Sequence, residues 1–99
     1  MDVYEAIAKR RSIRGFKADA IPAPVIGRLK EAMRLAPSAC NLQPWQFLFV
    51  QAPEKRRLVG EVYARGSWLG EAPLIVVALG NCQTAWKRVN GTSAHVIDA

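Results

Sequence analysis

The sequence has little of what most enzymatic signatures are built from. It holds one histidine and two cysteines in 99 residues. His95 has no second histidine and no carboxylate pair beside it, so it reads as a surface or helix-start residue rather than a general base. Cys40 and Cys82 lie far apart with no CxxC spacing, which excludes a metal framework and leaves a single disulfide that nothing else in the sequence supports. GxGxxG, the P-loop and HExxH are all missing, so the common nucleotide and zinc motifs are absent. Met1 leads directly into Asp2 and Glu5 with no apolar stretch behind it, so no signal peptide is expected. The longest apolar run, Pro73 to Leu79, is far too short to cross a bilayer. Together these absences predict a cytoplasmic protein with reduced thiols.

Acidic residues are also scarce. Eight Asp and Glu stand against 14 Lys and Arg, a formal charge of +6. Such a balance suits nucleic acid, an anionic membrane surface or an anionic small molecule, and equally a merely solvated basic face. Phe47 and Phe49 sit in an apolar stretch without interleaved Lys or Arg, which is not the stacking pattern of a nucleic-acid binder. With 51% hydrophobic and 22% charged residues the chain has a globular composition and room for one small domain.

The chain alternates helical and strand signals. Asp2 and Glu5 form a D-x-x-E capping pattern for a short helix ending near Arg10. Pro22 and Pro24 mark the entry to a second helix, in which Val25, Ile26, Leu29, Ala32, Met33 and Ala36 recur at helical spacing and which Pro37 stops. Gln46 to Val50 reads as a strand. Pro53 opens a third helix with Leu58, Val59, Val62 and Tyr63 on its buried face and Gly66 as its end. Leu74 to Leu79 reads as a second strand, apolar on both faces and therefore covered on both sides. Residues 82–91 are turn-like, and a last helical segment begins near Ser93. Two strands make a marginal sheet, so the chain is expected to be incomplete or completed by a partner.

Two segments carry chemistry. Arg10-Arg11-Ser12-Ile13-Arg14 places three guanidinium groups and a hydroxyl within one short stretch. Guanidinium forks match phosphate oxygens, and an extended backbone would point Arg10, Ser12 and Arg14 to one side. The alternative is a solvated basic helix end. Ala36-Pro37-Ser38-Ala39-Cys40-Asn41-Leu42-Gln43-Pro44-Trp45 is a helix stop, a small-residue loop, two amides and an aromatic. Small side chains admit a flat ligand, and Asn and Gln can serve both donor and acceptor edges of a heterocycle. The alternative is a plain helix-to-strand loop.

In this order and spacing, the two segments resemble the nitroreductase family of flavoproteins. The first is similar to its RRSIRxF signature, the second to its APSxxNxQPW signature, and Glu71-Ala72-Pro73 before the second strand is a further match. The resemblance covers residues 1–99, which read as a partial FMN-binding domain corresponding to the first half of the family's, with Ser93 to Ala99 as the first turns of its central helix. It implies an α+β fold with helices around a mixed sheet, and a homodimer with FMN at the subunit interface. Arg10, Arg11, Ser12 and Arg14 would hold the phosphate and ribityl end of FMN. Pro37, Ser38, Ala39 and Asn41 would approach the same flavin from the other subunit. The implied activity is electron transfer from NAD(P)H through flavin to a nitro compound, quinone or similar small acceptor, with no nucleic-acid or membrane partner. No residue is assigned as a catalytic acid or base or as a metal ligand. The competing expectation is a non-catalytic remnant that binds flavin weakly or not at all.

Overall fold

A computed structural model describes residues 1–63 and 65–99. Helix α1 runs Val3–Lys9. The Asp2 carboxylate caps it by accepting from the Glu5 backbone N–H at 2.7 Å. The reciprocal half of the capping box is not made, because the Glu5 side chain pairs with Lys9 one turn on. Helix α2 spans Ala23–Leu35, with Pro24 in its first turn and an extended Ala36 at its end. The residue before Pro37 is driven out of the helical region, as the sequence predicts.

Strands β1 (Trp45–Val50) and β2 (Ile75–Gly80) pair antiparallel, from Trp45↔Gly80 to Val50↔Ile75. Just outside the strands, Asn81 N–H donates to the carbonyl of Pro44, a residue almost wholly shielded from solvent. Between the strands run helix α3 (Pro53–Val62) and a 3-10 turn, Ser67–Glu71. Arg56 binds this connection together by donating to the Gln51 carbonyl at 3.0 Å and the Ala72 carbonyl at 2.6 Å.

Two expectations for these elements are corrected. The buried face of α3 is not Leu58, Val62 and Tyr63, which are all exposed, Val62 to 85%. The buried residue is Gly60. A Cβ placed on Gly70 would lie 3.5–3.8 Å from Arg56 O, Arg57 Cα and Gly60 Cα, so backbone meets backbone where large side chains would hold the two apart. Helix α3 also stops at Val62 rather than at Gly66. Ala64, inside the expected helix, is outside the described residues. Gly66 is still required where it stands: its φ is +144°, and a Cβ there would approach Trp68 Cδ1 to 2.6 Å.

The expectation that β2 is covered on both sides fails as well. Ile75 is buried, but Val76 and Leu79 are exposed, as is Leu48 on β1. Besides Pro44, the buried apolar side chains among the described residues are Ala72, Ile75, Ala85 and Ala94. The radius of gyration is 16.0 Å, whereas a compact domain of this length has about 13 Å. The apolar faces of α2 and of the sheet thus remain half-covered within this chain.

After β2 the Asn81 side chain accepts from the backbone N–H groups of Gln83 and Thr84. The chain then doubles back through an antiparallel bridge, Lys87↔Ser93. This turn delivers α4 (His95–Asp98) onto the end of β2. The fit is close, since a Cβ on Gly80 would stand 2.9 Å from the His95 carbonyl oxygen. His95 is the first residue of α4, partly buried, with an Nδ1 that meets no partner. Among the described residues no helix is long and apolar enough to cross a membrane.

Candidate functional site

Helix α1 ends at Lys9, and Arg10 after it, with a ψ of 138°, turns the chain into an irregular stretch. Arg10 and Ser12 point to the same side, with Arg10 Nη1 donating to Ser12 Oγ at 3.2 Å. Arg11 folds back and donates to the carbonyls of Ala8 (3.0 Å) and Arg10 (2.8 Å), satisfying acceptors that the end of α1 leaves open. Arg14 diverges, its guanidinium 6.0 Å from the centre of the Trp68 ring, which Phe16 and Tyr63 also pack against. Among the described residues none of these arginines meets a carboxylate. All four residues of this group are exposed. Arg10 and Ser12 therefore form one free cationic and hydroxyl pair, while Arg11 and Arg14 are engaged elsewhere.

The second segment has a different character. Pro37 follows the end of α2, and Ser38 is extended. The chain then makes a short 3-10 turn, Ala39–Asn41, in which Cys40 and Asn41 both have φ of +52°. Gln43 follows at +49°. Three residues with side chains thus occupy the left-handed region within four positions. Each costs on the order of 1 kcal/mol, Asn less than the others. Glycine would be the easy choice for such a path, and the loop contains none.

Hydrogen bonds hold this path. Ser38 Oγ accepts from the Gln43 N–H at 2.9 Å and closes the loop on itself. Asn41 N–H donates to the Ser38 carbonyl and Leu42 N–H to that of Ala39. The Ala39 N–H points at Asp98, 59 positions away on α4, with its two carboxylate oxygens at 3.4 and 3.3 Å. Beyond the loop, Pro44 is pinned by Asn81.

The structure thus brings Pro37, Ser38, Ala39 and Asn41 together in one tied loop and Arg10 together with Ser12. Among the described residues no hydrogen bond joins the arginine stretch to the loop. Sequence reasoning missed the left-handed path at Cys40, Asn41 and Gln43 altogether, and Asp98 as the loop's distant anchor. No local signal could have found Asp98, because only the return of α4 over β2 brings it to Ala39. Cys40 and Cys82 are both free and exposed.

Comparison with known proteins gives the family and the fold. The model of the nitroreductase family matches residues 7–98. A protein of Thermus thermophilus named NADH dehydrogenase is 35% identical over 85 residues, covering 86% of this chain and 42% of its own length. The crystal structure of a nitroreductase family protein from Clostridium novyi NT superposes with a TM-score of 0.86 at 26% identity, over 99% of this chain and 57% of that one. An FMN-dependent nitroreductase from Clostridium difficile R20291 superposes with a TM-score of 0.71 at 31% identity, over 76% of this chain and 44% of that one. The chain spans 42% and 47% of the length of two of the curated relatives it matches, and 21–25% of several others. Its α+β arrangement is that of these structures, in the part the chain represents, and the chain belongs to the nitroreductase family.

Proposed function

We propose that residues 1–99 form the part of an FMN-dependent oxidoreductase that grips the flavin, working as a homodimer with FMN at the subunit interface in the cytoplasm. The observation that carries this reading is the loop Ser38–Gln43. Non-glycine residues held in the left-handed region need surrounding structure to maintain them, and such strain gathers at ligand-binding sites. The match to a family that includes an FMN-dependent member supports the identity of the ligand.

The residues present suit FMN. Arg10 offers a guanidinium fork free of carboxylates, and Ser12 beside it adds a hydroxyl donor, a pair fitted to one phosphate group. Arg11 and Arg14, engaged at the end of α1 and at Trp68, would have to leave those contacts to join the phosphate. Pro37, Ser38 and Ala39 keep the loop surface low, which lets a flat ring approach the backbone. The Asn41 amide is exposed and can both donate and accept at a heterocycle edge. What FMN supplies when bound is the acceptance of a hydride from NAD(P)H and the return of two electrons to a nitro compound, quinone or similar acceptor. The chain's residues bind and orient, and none is assigned a proton-transfer role.

The test is the visible absorption spectrum of the purified chain with and without FMN. A bound yellow flavin that bleaches on anaerobic addition of NADH or NADPH is the expected result. A colourless protein that leaves added FMN unchanged would reduce the chain to a non-catalytic remnant of the fold.

A further inference from the structure

We infer that Asp98 is a positioning residue for the flavin loop: its carboxylate holds the Ala39 amide and so maintains the left-handed path through Cys40, Asn41 and Gln43. This rests on the reading of the loop as part of an FMN site.

The loop cannot fix its own position. Its internal bonds, Gln43 N–H to Ser38 Oγ and Asn41 N–H to the Ser38 carbonyl, set its curvature but not its place on the molecule. Two bonds set that place. At the far end Asn81 N–H holds the Pro44 carbonyl at 2.6 Å, as a continuation of the strand ladder. At the near end the Ala39 N–H faces both oxygens of Asp98, at 3.3 and 3.4 Å, in a partly buried setting. Each contact is long for a single bond, but the two oxygens straddle one amide, and an ionised acceptor strengthens a shared bond of this kind. Both anchors come from the same neighbourhood, the end of β2 and the helix that packs on it at Gly80. The loop is therefore clamped between Asp98 and Asn81, and its strain is maintained from outside.

Among the described residues the Asp98 carboxylate enters no ion pair, and Ala39 is its hydrogen-bond partner.

The test separates the clamp from the flavin reading by using two measurements on the full chain. Amide hydrogen exchange at Ala39 reads the clamp directly. FMN affinity, from quenching of flavin fluorescence, reads its consequence. Asp98→Ala removes the acceptor, and Asp98→Asn keeps a carbonyl oxygen in its place. Loss of a charge-assisted bond in Asp98→Ala is expected to speed Ala39 exchange about tenfold and to weaken FMN by a similar factor. Asp98→Asn is expected to recover most of both. A global loss of structure would not be rescued by Asn in this way.

Ala39→Pro supplies a second route should Asp98→Ala fold poorly. It removes the donor instead of the acceptor, and Ser38 is already extended, as a residue before proline must be. Ala39→Pro should weaken FMN by a factor similar to that expected for Asp98→Ala, and unchanged FMN affinity in Ala39→Pro would overturn the positioning role. Unchanged exchange in Asp98→Ala overturns the clamp. Faster exchange with unchanged FMN affinity overturns the positioning role. Failure of the wild-type chain to bind FMN at all overturns the flavin reading and the positioning role with it, and is recognisable because no substitution is involved.

Discussion

The arginine stretch and the small-residue loop are the two candidate halves of one binding function, yet they are built on opposite plans. Arg10, Arg11, Ser12 and Arg14 are exposed, and their hydrogen bonds span three positions at most. The loop is tied across 59 positions to α4 and kept in a conformation its own residues disfavour. The contrast follows from what each would recognise. A phosphate is a compact multivalent anion that flexible guanidinium groups can close upon after arrival, at the cost of side-chain entropy. A flat heterocycle gains from a surface already in shape, because ordering a loop during binding subtracts from affinity.

The comparison can be broken at either half. The largest effect is expected from Arg10→Ala. Removing one charged partner of a phosphate removes about 1.5–3 kcal/mol, or roughly 10–100-fold in FMN affinity. Thermal stability should not move, since among the described residues the Arg10 side chain hydrogen-bonds only the exposed Ser12 hydroxyl, and the backbone bonds of Arg10 survive the substitution. A melting temperature that falls together with affinity would contradict the division between the two halves.

Ser38→Ala tests the other half and should behave differently. It removes the acceptor for the Gln43 N–H, so a loss of about 1 kcal/mol in stability should accompany weaker FMN binding. Urea unfolding in the absence of flavin measures this. A variant that loses affinity without losing stability would place the loop in the same class as the arginine stretch.

The smallest effect lies outside both halves and serves as a baseline. Glu31 and Arg34 pair on the exposed face of α2. The hydrogen bond from Arg34, aided by its charge, holds the Glu31 carboxyl below its ordinary value of 4.5, and Glu31 in turn raises Arg34. A lowered folded-state value means that the pair's contribution is fully present above 4.5 and disappears as pH falls through the lowered value. For a pair this exposed the contribution is small. Glu31→Gln should therefore slightly flatten the acid limb of stability against pH. A Glu31→Gln protein with an unchanged acid limb would show that solvent has already cancelled the pair.

Local chemistry makes much of the chain legible in its sequence. Asp2 caps α1, Pro24 sits in the first turn of α2, Pro37 stops it, and each strand begins within one residue of its expected start. Each of these is decided by neighbours a few positions away. The failures share a different cause. Leu58 and Val62 have helical spacing that promises burial, but Gly60 and Gly70 let the backbones meet on another face. The doubly apolar β2 promises cover on both sides, but hydropathy reports only that a surface favours burial, without saying which chain buries it.

The sequence by itself determined the elements, the basic stretch free of acidic neighbours, and the small-residue loop with its amides, because propensity, capping and charge act over a few residues. The tertiary structure alone decided which of those residues stand together. Arg10 keeps Ser12 while Arg11 turns to α1 and Arg14 to Trp68. The left-handed path of the loop and its anchor at Asp98 likewise exist only because the turn after β2 carries α4 back across Gly80. A contact between positions so far apart depends on the closure of everything between them, and no local pattern encodes it.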